Sequence, residues 1–126
     1  MRRLCISILL LLLVLAGTMW STHHLAGISK EVTSLLTQAE QLGEGGSWEE
    51  ALSLTCRAEV LWKEHEFFFH VILRHSDTDN VTHSFQEVKE FLHCREGGEY
   101  SAANAILIGR IELLVEQERC TLKNLL

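Results

Sequence analysis

From Leu4 to Trp20 the chain runs for 17 residues without a charge, interrupted only by Ser7, Gly17 and Thr18. Backbone amides in hydrocarbon must be satisfied within their own segment, so such a run folds as a helix, here just long enough to cross a bilayer core. Arg2 and Arg3 hold its start on the cytoplasmic side, and Trp20 suits the opposite interface. Residues 1–20 are therefore expected to anchor the chain in the cell membrane as a single pass, N-terminus cytoplasmic and the bulk of the chain extracytoplasmic, with the lipid bilayer as its first partner. A cleaved signal peptide is the competing reading, because Val14-Leu15-Ala16 is a passable small-residue site; the length of the run and the lack of an A-x-A favour retention. Lipoprotein processing is disfavoured, since Thr18 follows Leu15-Ala16-Gly17 where a lipid-carrying cysteine is required. Cys5, inside the run, reads as a small apolar residue.

Beyond this leader, nine Lys and Arg face seventeen Asp and Glu, and the cations are scattered singly among the acids. A phosphate-binding surface needs clustered cations, so nucleic acid is excluded as an expected partner. With no proline, eight glycines and over 100 residues outside the leader, that part suits one compact domain with few irregular loops. Residues 21–27 read as a short polar connector and residues 28–126 as the domain.

Apolar residues at Ile28, Val32, Leu35, Ala39 and Leu42 are spaced by four and three and make one helix face. Leu42-Gly43-Glu44-Gly45-Gly46 stops that helix, and Ser47-Trp48-Glu49-Glu50 restarts the chain as a capping box. The second helix is expected from Trp48 to about His75, with Ala51, Thr55, Ala58, Trp62, His65, Phe69 and Ile72 on one stripe and Leu54, Leu61 and Phe68 widening it. Ser76 to Asn80 consists of five cap-type residues, so a helix breaks or bends there. A third helix carries Val81, Phe85, Val88 and Leu92 and ends at Arg95-Glu96-Gly97-Gly98. The fourth, from Glu99 to about Lys123, carries Ala103, Leu107, Ile111 and Leu114, with Ile108, Val115, Leu122 and Leu125 beside them. Sustained alternation is absent, so the expected fold is all-α: a membrane-spanning helix followed by an antiparallel bundle of about four helices in two hairpins.

A faint repeat aligns Gly45-Gly46-Ser47-Trp48-x-x-Ala51 with Gly97-Gly98-Glu99-Tyr100-x-x-Ala103 at an offset of 52 residues. It is similar to the turn of a tetratricopeptide hairpin, but the offset is too long and two hairpins are too few for that solenoid, so it reads as bundle packing.

Chemistry-bearing residues form no motif. His65 and His70 are five apart, which turns the imidazoles roughly 140° from each other and excludes the two-histidine zinc-protease arrangement. His65 then reads as a core or interfacial residue and His70 as a surface one. His75, Asp79 and His83 lie at i, i+4 and i+8 along one face if helix continues between them, which makes them weak candidate zinc or copper ligands, although no fourth ligand is apparent. Cys56, Cys94 and Cys120 have no C-x-x-C spacing and read as small core residues, with one pair or none bonded. The Gly-Gly turns lack the lysine and strand context of a phosphate loop. Neither a cofactor nor a catalytic residue is expected.

The N-terminal anchor, Trp48-x-x-Ala51, Trp62-Lys63, the His75-x-x-x-Asp79 stretch, Tyr100 at the last turn and Asn124-Leu125 together resemble a bacterial family, domain of unknown function 4363, over nearly the whole chain. The resemblance implies a small, extracytoplasmic, all-helical protein with no catalytic residues to carry over. The function expected is a structural or protein-interaction module that presents an acidic face to an envelope protein. An extracytoplasmic ligand or metal sensor using the histidines is the alternative, and a hydrolase has no positive feature in its favour.

Overall fold

The computed structural model describes residues 1–66 and 75–125, with the side chains of His75, Thr121, Leu122 and Leu125 outside that description. Among the described residues there are four helices and no strand: α1 (Arg2–Glu44), α2 (Trp48–Glu64), α3 (His75–Cys94) and α4 (Gly97–Leu125). α1 packs along α2 and α4, α3 packs along α4, and α2 closes the arrangement against α3.

The connector expected at residues 21–27 does not exist as a separate segment, because α1 is one helix of 43 residues, about 65 Å long. Polar residues remain helical here for two reasons. Thr18 Oγ1 donates to the Val14 carbonyl at 2.8 Å and Thr22 Oγ1 to the Thr18 carbonyl at 3.0 Å, so the hydroxyls are satisfied inside the helix. Thr22 and Leu25 are also buried against the bundle, and such packing outweighs local polarity. Most of the apolar side chains between Leu4 and Trp20 are exposed, so the bundle begins about where the apolar run ends. α1 alone among the described helices is long and apolar enough to cross a membrane, with a window of mean hydropathy 2.4; a signal sequence shares that character.

The buried face of α1 reads Thr22, Leu25, Ser29, Val32, Leu36, Ala39 and Gly43, with Ile28 beside it. Alternating steps of three and four are the seam of helices packed like a coiled coil. Leu35 and Leu42, expected on this face, are only partly buried, and Leu36 and Gly43 take the seam. The other helices follow the expected stripes: Ala51, Thr55, Ala58 and Trp62; Val81, Phe85, Val88 and Leu92; Ala103, Leu107, Ile111 and Leu114. Trp62 is 1% exposed at the centre.

Both described turns are Schellman motifs. After α1, the Gly46 amide donates to Gly43 at 3.1 Å and Ser47 to Leu42 at 2.9 Å, with Gly46 at φ +85°. After α3, Arg95 donates to Leu92 at 3.2 Å and Glu96 to Phe91 at 3.1 Å, with Arg95 at φ 55°. Arg95 is thus the partner of Gly46, and Glu96 the partner of Ser47. Gly97 and Gly98 lie in the first turn of α4 rather than ending α3, so the sequence repeat is three residues out of register with the structural one. The expected capping box is also absent. Ser47, at φ −85° and ψ 64°, makes no side-chain cap bond, because it lies outside the extended backbone from which a cap hydroxyl reaches the second or third amide.

α2 ends at Glu64 with His65 as its C-cap, short of the expected His75. The expected stripe residues Phe68, Phe69 and Ile72, and His70, lie outside the described residues. Helix runs through residues 76–80, where a break or bend was expected, and Thr78 is buried on its seam.

Candidate functional site

The seams are held in register by polar contacts between helices. Asn104 Nδ2 of α4 donates to the Leu36 carbonyl of α1 at 3.1 Å, and Ser101 Oγ donates to Glu40 Oε1 at 2.6 Å. Arg110 of α4 donates to the Asn80 carbonyl at 3.3 Å and to Ser84 Oγ, tying α4 to α3. Glu59 of α2, nearly buried, accepts from Lys89 of α3 at 2.9 Å and from Lys63 at 3.5 Å, so its charge has two partners.

At the two turns, Tyr100 packs edge-on to Trp48 with ring centroids 6.3 Å apart. The Tyr100 ring also lies over Gly43, where an added Cβ would meet its Cε1 at 2.9 Å, so Gly43 is required for close approach rather than for stopping α1. Burial, then the carboxylates of Glu40 and Glu44, push the Tyr100 phenol up to about 12.

Where the apolar run meets the bundle, Trp20 stacks on His24 at 5.1 Å, and His24 meets the edge of His65 at 5.6 Å. His65 Nδ1 lies 3.0 Å from the Leu61 carbonyl. His65 is half-buried because it sits just past the last turn of α2, at a junction rather than in the core. Between α1 and α4 lies an open cleft of about 520 Å³, lined by His23, Gly27, Ser29 and Lys30 on one wall and Glu112, Glu116 and Arg119 on the other.

The candidate metal ligands are not gathered into a site. Asp79 and His83 are exposed on α3, and the His75 side chain lies outside the described residues. No group of three or more His, Cys, Asp or Glu side chains that would suit a metal occurs among the described residues. Cys56, Cys94 and Cys120 are free and exposed, which corrects their assignment to the core: each falls off its helix's seam. The cleft went unseen in the sequence because its walls come from helices far apart in the chain, and its only marks are Gly27 and a serine on an apolar seam.

No curated protein and no solved structure matches the chain. The family model described as "Domain of unknown function (DUF4363)" matches residues 19–125, beginning where the exposed apolar run ends and covering all four helical stripes. The chain belongs to that family.

Proposed function

We propose that the protein is a membrane-anchored extracytoplasmic module, an antiparallel helical bundle that binds another envelope protein and catalyses no reaction. The observation that carries this reading is the unbroken course of α1 from an exposed apolar segment into the bundle seam. A helix shared between bilayer and bundle fixes the bundle's distance and orientation from the membrane, which a scaffold needs and a freely diffusing enzyme does not. The acidic surface favours a partner with basic patches through electrostatic steering.

The exposed cysteines supply the topology test. In cells stripped of any wall, a membrane-impermeant maleimide should label Cys56, Cys94 and Cys120 and spare Cys5, and the extracted protein should keep its full mass. Loss of the first 16 or so residues, or protection of the bundle cysteines, overturns the anchored topology. Photo-crosslinkers placed at exposed Val60 and Ile106 should each give one recurrent adduct in membranes; scattered adducts alone contradict a scaffold role.

A further inference from the structure

We propose that the protein pairs with a second copy of itself, side by side in one membrane, through the outer face of α4. The orientation of the pair rests on the anchored reading above, and the face rests on α4 alone.

Ala102, Ile106, Gly109, Leu113, Gln117 and Cys120 are all exposed, and Ile106 and Leu113 are 52% and 56% open to solvent. Their steps of four, three, four, four and three match the helical repeat, so they form one straight stripe along α4, about 27 Å long. None of the six carries a charge. The outward faces of the other helices do, as with Glu31 on α1, Arg57 on α2 and Glu87 on α3.

Two copies anchored by the same helix in one membrane close on each other with parallel helices, about a two-fold axis along the membrane normal. Each residue on the seam then meets its own counterpart, so a charge there always meets its own sign. An uncharged stripe is the kind of surface that can pair in this way, whereas a partner with basic patches finds no counter-charge on it. On the other faces the surplus of acids makes two copies repel.

Gly109 lies mid-helix between Ile106 and Leu113, and an added Cβ there would meet nothing within 4 Å in its own chain. Glycine inside a helix is destabilising relative to alanine, and no contact within the chain calls for it. Facing its counterpart across the axis, it lets two α4 helices approach closely, with Ile106 and Leu113 packed on either side of the gap. A strip of that length and about 10 Å wide covers about 270 Å² on each copy, less than the roughly 800 Å² per partner of a standard interface. The pair is therefore weak in dilute solution, and confinement of both copies to one membrane is what populates it.

The test uses the full chain in liposomes. On a cysteine-free background, a short bis-maleimide should join two copies through Cys120 restored alone, and through Ile106→Cys or Leu113→Cys alone, while Cys56 or Cys94 alone should give no dimer. Ala102→Cys chains mixed with chains carrying only Cys120 should give no mixed dimer, because the two positions stand at opposite ends of a parallel pair. Single-molecule photobleaching over a range of protein-to-lipid ratios should show a monomer–dimer equilibrium. Ile106→Glu with Leu113→Glu should shift it at least tenfold toward monomer and leave the melting curve in place, since both side chains are exposed. Gly109→Ala should weaken the pair about fivefold while raising the melting temperature in dilute detergent, opposite signs that a role within one chain does not produce. Monomers at every ratio, or dimers indifferent to the two glutamates, overturn the proposal, and mixed dimers overturn it in favour of an antiparallel pair. A photo-adduct at Ile106 whose added mass is not that of this chain gives the stripe to another protein and also overturns it. The anchored topology is decided separately, by the maleimide labelling in cells.

Discussion

Trp62 and Trp48 occupy opposite extremes of the same helix. Trp62 is 1% exposed among core residues, and its loss leaves a large cavity; Trp62→Ala should cost about 3–5 kcal/mol, read as a fall in the urea midpoint. Trp48, half-buried at the first turn of α2, packs on Tyr100 and beside Gly97 at the edge of the core, so Trp48→Ala should be milder. A neutral Trp62→Ala would contradict the helix phase. Tyr100 is the one tyrosine in the chain, which makes its ionisation readable by ultraviolet absorbance. The folded phenol is held up to about 12, against 10.0 for the unperturbed group. The native state therefore keeps the proton longer than the unfolded chain, so stability from this group is intact below about pH 10 and is lost as pH rises toward about 12. Phenolate appearing near pH 10 while the helical signal persists would show that the ring is not buried. Trp62 was legible in the sequence because a stripe of apolar residues runs through it. Ser29 and Asn104 were not, because the burial of a small polar residue depends on a partner helix far away in sequence.

At the level of elements, the turn after α3 carries a non-glycine residue in the left-handed region, Arg95 at φ 55°, where the equivalent turn has Gly46. That conformation costs a residue with a Cβ about 1–2 kcal/mol, partly offset by the larger entropy glycine loses on folding. Arg95→Gly should therefore stabilise the protein by about 0.5–1 kcal/mol. Gly98 lies inside the first turn of α4 with open space around it, so Gly98→Ala should add a similar amount, about 0.5–1 kcal/mol. Parallel denaturant melts check both, and a destabilising Gly98→Ala would place the start of α4 wrongly. The existence and faces of the helices were legible from three-and-four spacing alone. The break between α1 and α2 was legible too, at residues 42–48, but the roles of the glycines were not: Gly97 and Gly98 looked like a helix stop and serve in a helix start, while Gly43 looked like a stop and serves as a contact. A glycine marks a place where a Cβ is unwelcome or unneeded, and the sequence does not say whether backbone conformation or a neighbouring ring is the reason.

For the whole molecule, the decisive feature is that the bundle and the apolar run share α1. Local composition at residues 21–27 favoured a linker, and burial of Thr22 and Leu25 by the other helices reversed that preference, so the coupling is a tertiary property. The cleft and the Trp20–His24–His65 contact both lie at this junction and depend on it. The most direct test is a nitroxide scan from Ser21 to Gly27, on a cysteine-free background, in bilayers. One helix running through the junction predicts mobility that oscillates with a period of about 3.6 residues, with labels at Thr22 and Leu25 immobilised and those at His23 and Gly27 mobile. Uniformly fast motion at all seven positions would show a flexible linker in place of a continuous α1.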